Sequence, residues 1–182
     1  MKTPEDIAQR FERDVMPYER RVYSLCFHMM GNAQDAADCA QDALLRAFRA
    51  YGRFRGDADL GTWLYRVATN ACIDALRKRR DALSLDALRD DGFDPASDAP
   101  SPLSRLEKKE QQALVRQALS EALPPNLRAC VVLCDIQGAS YEQAAEALQI
   151  PQGTLKSRLN RAREKMRRYI TLKTELSQTT PV

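Results

Sequence analysis

Histidine is almost missing from this chain, and most side-chain acid–base chemistry goes with it. His28 is the only one in 182 residues. It sits in an apolar helical stretch, where packing or a surface position is expected rather than catalysis. The seven glycines form no phosphate-cradling loop. The five cysteines, Cys26, Cys39, Cys72, Cys130 and Cys134, are odd in number and lack a framework spacing. A secreted disulfide scaffold is thereby excluded, and reduced thiols in a cytoplasmic protein fit. Cys130 and Cys134 share a helix face and could ligate a metal or sense oxidants, but without a second ligand pair core packing is expected. Neither metal nor cofactor is expected. No apolar run approaches the roughly 18 residues of a membrane span. The opening "MKTPEDIAQRFERDV" carries acids and no apolar segment of a secretory signal, so direct membrane insertion is not expected. No alternating run argues for a strand.

What remains is helical periodicity. It predicts helices near 5–30, 35–51, 62–80, 103–122, 126–136, 140–149 and 154–170, with Gly31-Asn32 separating the first two and "GRFRGDADLG" as the loop 52–61. Residues 81–102, "DALSLDALRDDGFDPASDAPSP", contain three prolines, six aspartates and one arginine, which is a linker composition. Net charge is +3 and unevenly spread. Residues 1–81 carry 14 basic and 12 acidic groups, 82–110 carry 4 and 7, and 111–182 carry 10 and 6. An acidic connector between two basic units is the expected layout.

The segment 153–168, "GTLKSRLNRAREKMRR", sets seven cations against Glu164 alone, with Leu155, Leu159, Ala162 and Met166 at helical spacing. Before it, Ser140 and Gln143 make a capping box, Ala144, Ala145 and Leu148 a small apolar face, and Pro151-Gln152-Gly153 a break. Two short helices with small residues at their crossing predict a helix-turn-helix. Its basic second helix suits the major groove, with its flank on phosphates. Arg161, Arg163, Arg167 and Arg168 then add sequence-independent affinity, and some of the last arginines serve the helix C-terminus.

In the first unit, "DAADCAQDALLRAFRAY" places Ala36, Ala40, Ala43, Leu44, Ala47, Phe48 and Tyr51 on a buried face. Asp38, Gln41, Asp42 and Leu45 lie on another. Asp38 and Asp42 repel at i, i+4, and Arg46 relieves Asp42. An ordinary solvated face and an acidic patch awaiting a basic partner both fit. "FRGDADLGTWLYRVATNACIDALRKRR" joins aromatics, a polar loop and the cluster Arg77-Lys78-Arg79-Arg80, as single-stranded nucleic acid requires. Trp63 and Phe54 also fit as core residues, and for Trp63, four residues before Val67, the core is the favoured place.

Together these segments, with "LPPNLRACVVLCDIQGASYEQAAEALQIPQGTLKSRLNRAREKM", resemble the extracytoplasmic-function (ECF) sigma factors of bacterial RNA polymerase, across about residues 8–170. No one motif decides this; the ordered set across an acidic linker does. The resemblance implies an all-α protein: a sigma region 2 bundle at 1–80, a flexible acidic linker at 81–102, a sigma region 4 helix-turn-helix at 103–172 and a tail at 173–182. It implies that Asp35, Asp38, Gln41, Asp42 and Leu45 bind the clamp helices of the largest polymerase subunit, with the flap as a second contact. Phe54, Arg55, Gly56, Asp57, Trp63, Arg66, Asn70 and Arg77 would meet the melted −10 element. Thr154, Lys156, Ser157, Arg158, Asn160 and Arg161 would read the −35 element. Leu60-Gly61 falls in a stretch that varies within the group, so base preference at −10 does not transfer. Further implied are a non-enzymatic role in transcription initiation, a cytoplasmic location and restraint by an anti-sigma factor. The rival is a free-standing helix-turn-helix regulator that binds promoters without polymerase.

Overall fold

The computed structural model describes residues 4–56, 58–85 and 103–178. Helices α1 (Pro4–Val15), α2 (Glu19–Met30), α3 (Ala33–Tyr51) and α4 (Leu60–Leu85) build the first unit. Helices α5 (Leu103–Gln117), α6 (Pro125–Val131), α7 (Tyr141–Leu148) and α8 (Gln152–Gln178) build the second. No strand occurs among the described residues. Of the predicted linker at 81–102, residues 81–85 belong to the end of α4, and residues 86–102 lie outside the described ones.

The single helix expected over 5–30 is two. Pro17 cannot donate its backbone nitrogen, and Met16–Tyr18 tightens into a 3-10 turn between α1 and α2. Gly31, with φ of 87°, ends α2 in the left-handed region. Asn32 then caps α3 by accepting from the Asp35 amide at 2.9 Å. Ala36, Ala40, Ala43 and Ala47 are buried on α3, as are Ala68 and Ala71 on α4. Small residues along these seams allow the helix axes to approach closely. Leu25, Met29 and Leu64 fill the space between them at 0%, 0% and 2% exposure, where truncation to alanine costs about 2–5 kcal/mol each. Phe48 departs from its predicted burial at 41% exposure, whereas Tyr51 is half-buried and donates its hydroxyl to Asp14 at 2.5 Å.

α5 widens into a π-helical turn at Ala118–Ala122, and α6 into another at Val132–Ile136. Pro125 starts α6, where its missing donor costs nothing. The Ser140 and Gln143 capping box is present, and Gln149, at φ 53°, turns the chain into α8. α4 continues past residue 80 to Leu85, and α8 past 172 to Gln178. Arg163, Arg167 and Arg168 therefore sit well inside α8 and cannot serve its C-terminus, correcting that expectation.

The two units pack on one another. α7 lies against α4, and α6 against α2 and α4. Gln137 Nε2 donates to Ser24 Oγ at 3.0 Å, and the Arg116 guanidinium lies 5.6 Å from the Phe27 ring centre. Arg128, 6% exposed, reaches across to the Met29 carbonyl and also donates to the carbonyls of Ser120 (2.9 Å) and Leu123 (3.1 Å). Burial disfavours its charged form, and the carbonyls that end α2 and α5 hold it in place.

Candidate nucleic-acid interface

Three surfaces gather the residues singled out by sequence. The first is the outer stripe of α3. Asp35, Asp38, Asp42 and Leu45 follow one another by three or four residues, so they share a face, with Gln41 beside them. Asp38, Gln41, Asp42 and Leu45 are exposed. The stripe is partly self-neutralised. Asp35 accepts from Asn32 at 2.7 Å and from Arg79 at 2.8 Å. Arg46 bridges Asp42 at 2.8 Å and Asp74 at 2.7 Å, tying α3 to α4. Beside the stripe opens an apolar groove of about 720 Å³, with Phe11, Tyr23, Leu44, Leu45 and Phe48 in its lining. Phe11 meets Phe48 edge-on at 5.2 Å. The sequence reading missed this groove because it placed Phe48 in the core.

The second surface is the loop after α3 and the start of α4. The Arg53 and Phe54 amides bond back to Ala50 and Tyr51 at 3.0 Å, closing the end of α3. Gly56 takes φ 79° in open space, a conformation that favours glycine. Asp59 caps α4: its carboxylate accepts from the Thr62 amide at 3.2 Å and its carbonyl from the Trp63 amide at 2.9 Å. Phe54 lies 5.0 Å from Trp63, which is 7% exposed, so the indole supports the loop from beneath instead of offering a face to a base. Gly61 is buried, and a Cβ there would meet Tyr18 at 3.1 Å and Asp59 at 3.0 Å; it serves packing. Arg55 and Gly56 are exposed, and Asp57 lies outside the described residues. Arg66, Asn70 and Arg77 form one stripe along α4, half-buried at Arg66 and exposed at the other two.

The third surface is α8. Leu155, Leu159 and Ala162 are buried, seating the helix on its neighbours. Lys156, Ser157, Asn160 and Arg161 are exposed, and Thr154 and Arg158 are half-buried beside them. These side chains occupy the first turns of the helix, the part that a helix-turn-helix presents to base edges. Behind them, Arg163 holds Asp135 through two bonds, at 3.0 and 2.6 Å, and is anchored within the unit. Hydrogen bonding to Asp135 raises its pKa further. Arg167 and Arg168 pair with Glu164 at 3.2 and 2.8 Å but stay exposed.

The remaining reactive groups are packed. The His28 Nδ1 lies 2.7 Å from the Ser24 carbonyl, and Cys130 Sγ donates to the Asn126 carbonyl at 3.3 Å. No helix of the described residues is long and apolar enough to cross a membrane.

Residues 15–82 match the family model for sigma-70 region 2, and residues 114–166 that for sigma-70, region 4. Among curated proteins, the RNA polymerase sigma-H factor of Pseudomonas aeruginosa is 38% identical over 85% of this chain and 82% of its own length. The ECF RNA polymerase sigma factor SigW of Bacillus subtilis is 35% identical, covering 84% of each chain. The ECF RNA polymerase sigma-E factor of Escherichia coli is 33% identical over 82% of this chain and 81% of that one. Among solved structures, the sigma factor RpoE bound to the anti-sigma factor NepR from Bartonella quintana superimposes with a TM-score of 0.71 at 22% identity, over 90% of this chain and 98% of that one. CnrH bound to the cytosolic domain of CnrY gives 0.62 at 24% identity, over 94% and 91%.

Proposed function

We infer the work of this chain from its kinship: it belongs to the sigma-70 family, in the extracytoplasmic-function group. It is a transcription initiation factor that binds core RNA polymerase, recognises −10 and −35 promoter elements and promotes the melting of DNA. Its contribution is recognition and strand opening, with nucleotide chemistry left to the polymerase. We assign region 2 to residues 1–80, a connector to 81–102 and region 4 to 103–172, α8 running on beyond that boundary.

The observation that carries this reading is the reading helix. Its buried Leu155–Leu159–Ala162 seam fixes which side faces out, and that side bears Lys156, Ser157, Asn160 and Arg161. We assign these, with Thr154 and Arg158, to the −35 element. Phosphate contacts supply salt-dependent affinity and base-edge contacts the specificity. The α3 stripe of Asp35, Asp38, Gln41, Asp42 and Leu45 is assigned to the polymerase clamp helices, with the adjoining groove offering apolar area to the same contact; region 4 would meet the flap. The 54–57 loop with Arg66, Asn70 and Arg77 is assigned to the opened −10 strand, and Trp63 to holding that loop in place. The chain works in the cytoplasm, and an anti-sigma factor restrains it by covering these polymerase-binding surfaces.

Run-off transcription with purified core polymerase on a genomic library tests the assignment. Core-dependent initiation at a restricted promoter set is expected. Promoter binding by the chain alone, with no initiation when core is added, would favour the free-standing regulator.

A further inference from the structure

Three cysteines far apart in sequence converge inside the first unit. Cys26 comes from α2, Cys39 from α3 and Cys72 from α4, and their exposures are 0%, 5% and 0%. The Cys39 and Cys72 sulfurs are 3.3 Å apart, those of Cys72 and Cys26 3.6 Å, and all three lie within 4.8 Å of one another. A metal bound at about 2.3 Å to three sulfurs in a plane spreads them to roughly 4 Å apart. The two shorter separations fall about 0.7 and 0.4 Å below that, so the sulfurs must spread by well under 1 Å to match. Among the described residues no other group of three ligating side chains is so gathered, and no fourth protein ligand joins this one.

Two independent features point the same way. A cavity of about 390 Å³ has Asp35, Asp38, Asp42, Arg79 and Cys39 in its lining, so open space reaches the residue that carries one of the three sulfurs. On the inner side, the buried Arg128 guanidinium donates to the Met29 carbonyl, one turn along α2 from Cys26, and its Nε has no hydrogen-bond partner. A buried cation without a matching anion is costly.

We propose that Cys26, Cys39 and Cys72 form a binding site for a thiophilic divalent cation in three-coordinate thiolate geometry, with Arg128 as its counter-charge. On binding, each thiol releases its proton to solvent as its sulfur lone pair forms the metal bond. Three thiolates and one divalent cation carry a net charge of −1, which Arg128 balances. Zinc prefers a fourth ligand, so the set favours softer divalent ions that accept three sulfurs, of which Cd(II) is the practical probe. Because Arg128 comes from the second unit and the sulfurs from the first, the bound ion favours the packed arrangement of the two. By linkage, that packing raises affinity for the ion.

The test is a titration of the reduced full-length chain with Cd(II), followed by ultraviolet sulfur-to-cadmium charge-transfer absorbance and by proton release. One Cd(II) per chain, with absorbance of three thiolates and three protons released, is expected. The signal should vanish in Cys39→Ala and in Cys72→Ala, and persist in the Cys130→Ala, Cys134→Ala double variant. Arg128→Gln should keep the stoichiometry and weaken affinity about tenfold, as for a lost unit charge at a partly buried site. Circular dichroism checks the fold of each variant. The wild-type stoichiometry decides the case even if a core variant fails to fold. Absence of the band in wild type, its survival in both Cys39→Ala and Cys72→Ala, or its loss only with Cys130 and Cys134 overturns the site. Unchanged affinity in a folded Arg128→Gln overturns the counter-charge.

Discussion

Replacing Arg128 with alanine should remove a large part of the stability of the chain, and the structure sets the size of the loss. The guanidinium is 6% exposed and donates to three carbonyls, those of Met29, Ser120 and Leu123. Met29 and Ser120 lie in the closing turns of helical segments, where carbonyls have no donor of their own within the helix, and Leu123 follows directly. An unsatisfied buried acceptor costs about 1–3 kcal/mol, and water entering the vacated space recovers part of three such losses. Offsetting this, the substitution relieves the burial of a charge. The net expectation is about 3–5 kcal/mol, against a total of about 5–15 kcal/mol for a typical domain. Arg128→Lys keeps the charge but not the planar fork, so it should satisfy one or two carbonyls and lose about half as much. Urea unfolding followed by circular dichroism and by Trp63 fluorescence measures both. A loss below about 1 kcal/mol for alanine, or lysine indistinguishable from arginine, would refute the reasoning.

Three further outcomes are expected. Asp38→Arg with Asp42→Arg should abolish association with core polymerase while leaving circular dichroism unchanged, since both side chains are exposed and Arg46 retains Asp74; pull-down with core enzyme checks it. Lys156→Ala or Arg158→Ala should weaken −35-dependent transcription selectively, by about 1–3 kcal/mol where a base contact is bidentate. Arg168→Ala should weaken all promoters alike and flatten the salt dependence of binding; identical effects from all three would misplace the reading face. Asn70→Ala should lose open-complex formation but keep core binding. Its defect should shrink on a template pre-melted across −10, where the unstacking cost of a few kcal/mol is already met; normal permanganate reactivity of −10 thymines would make Asn70 structural.

The helix-turn-helix was legible because its signals are local. A capping box, a break near Pro151 and a leucine seam all act within about twenty residues; the box and the seam are present where the pattern placed them, and the turn comes slightly earlier than expected, at Gln149 to Pro151, with Gln152 and Gly153 already in α8. The α3 stripe was legible for the same reason. Other features were not. The 5–30 periodicity continued through Pro17, so the pattern hid a break that only the missing donor reveals. Phe48 sits at the edge between two apolar directions of α3, and periodicity could not say which one faced solvent. Nothing local to Gly61 shows that Tyr18, from a distant turn, fills the space beside it. Arg128, the lone cation in "NLRACVVLC", was passed over because its partners include a carbonyl 99 positions away. The cysteine cluster spans sequence separations of up to 46 residues, and no spacing motif could assemble it.

The length of α8 has a mechanical consequence. At 27 residues it is about 40 Å long, yet its buried anchors, Leu155, Leu159 and Ala162, all lie in the first half. The Tyr169 hydroxyl donates to Glu121 at 2.5 Å, and Leu172 and Leu176 beyond it are 59% and 65% exposed. The helix is thus a cantilever. A tilt of about ten degrees pivoting at Ala162 moves Gln178 by roughly 4 Å, while Arg158 and Lys156, nearer the fulcrum, move by about a quarter and two-fifths of that. A modest force on the far end therefore acts with leverage on the angle at which the first turns enter a groove.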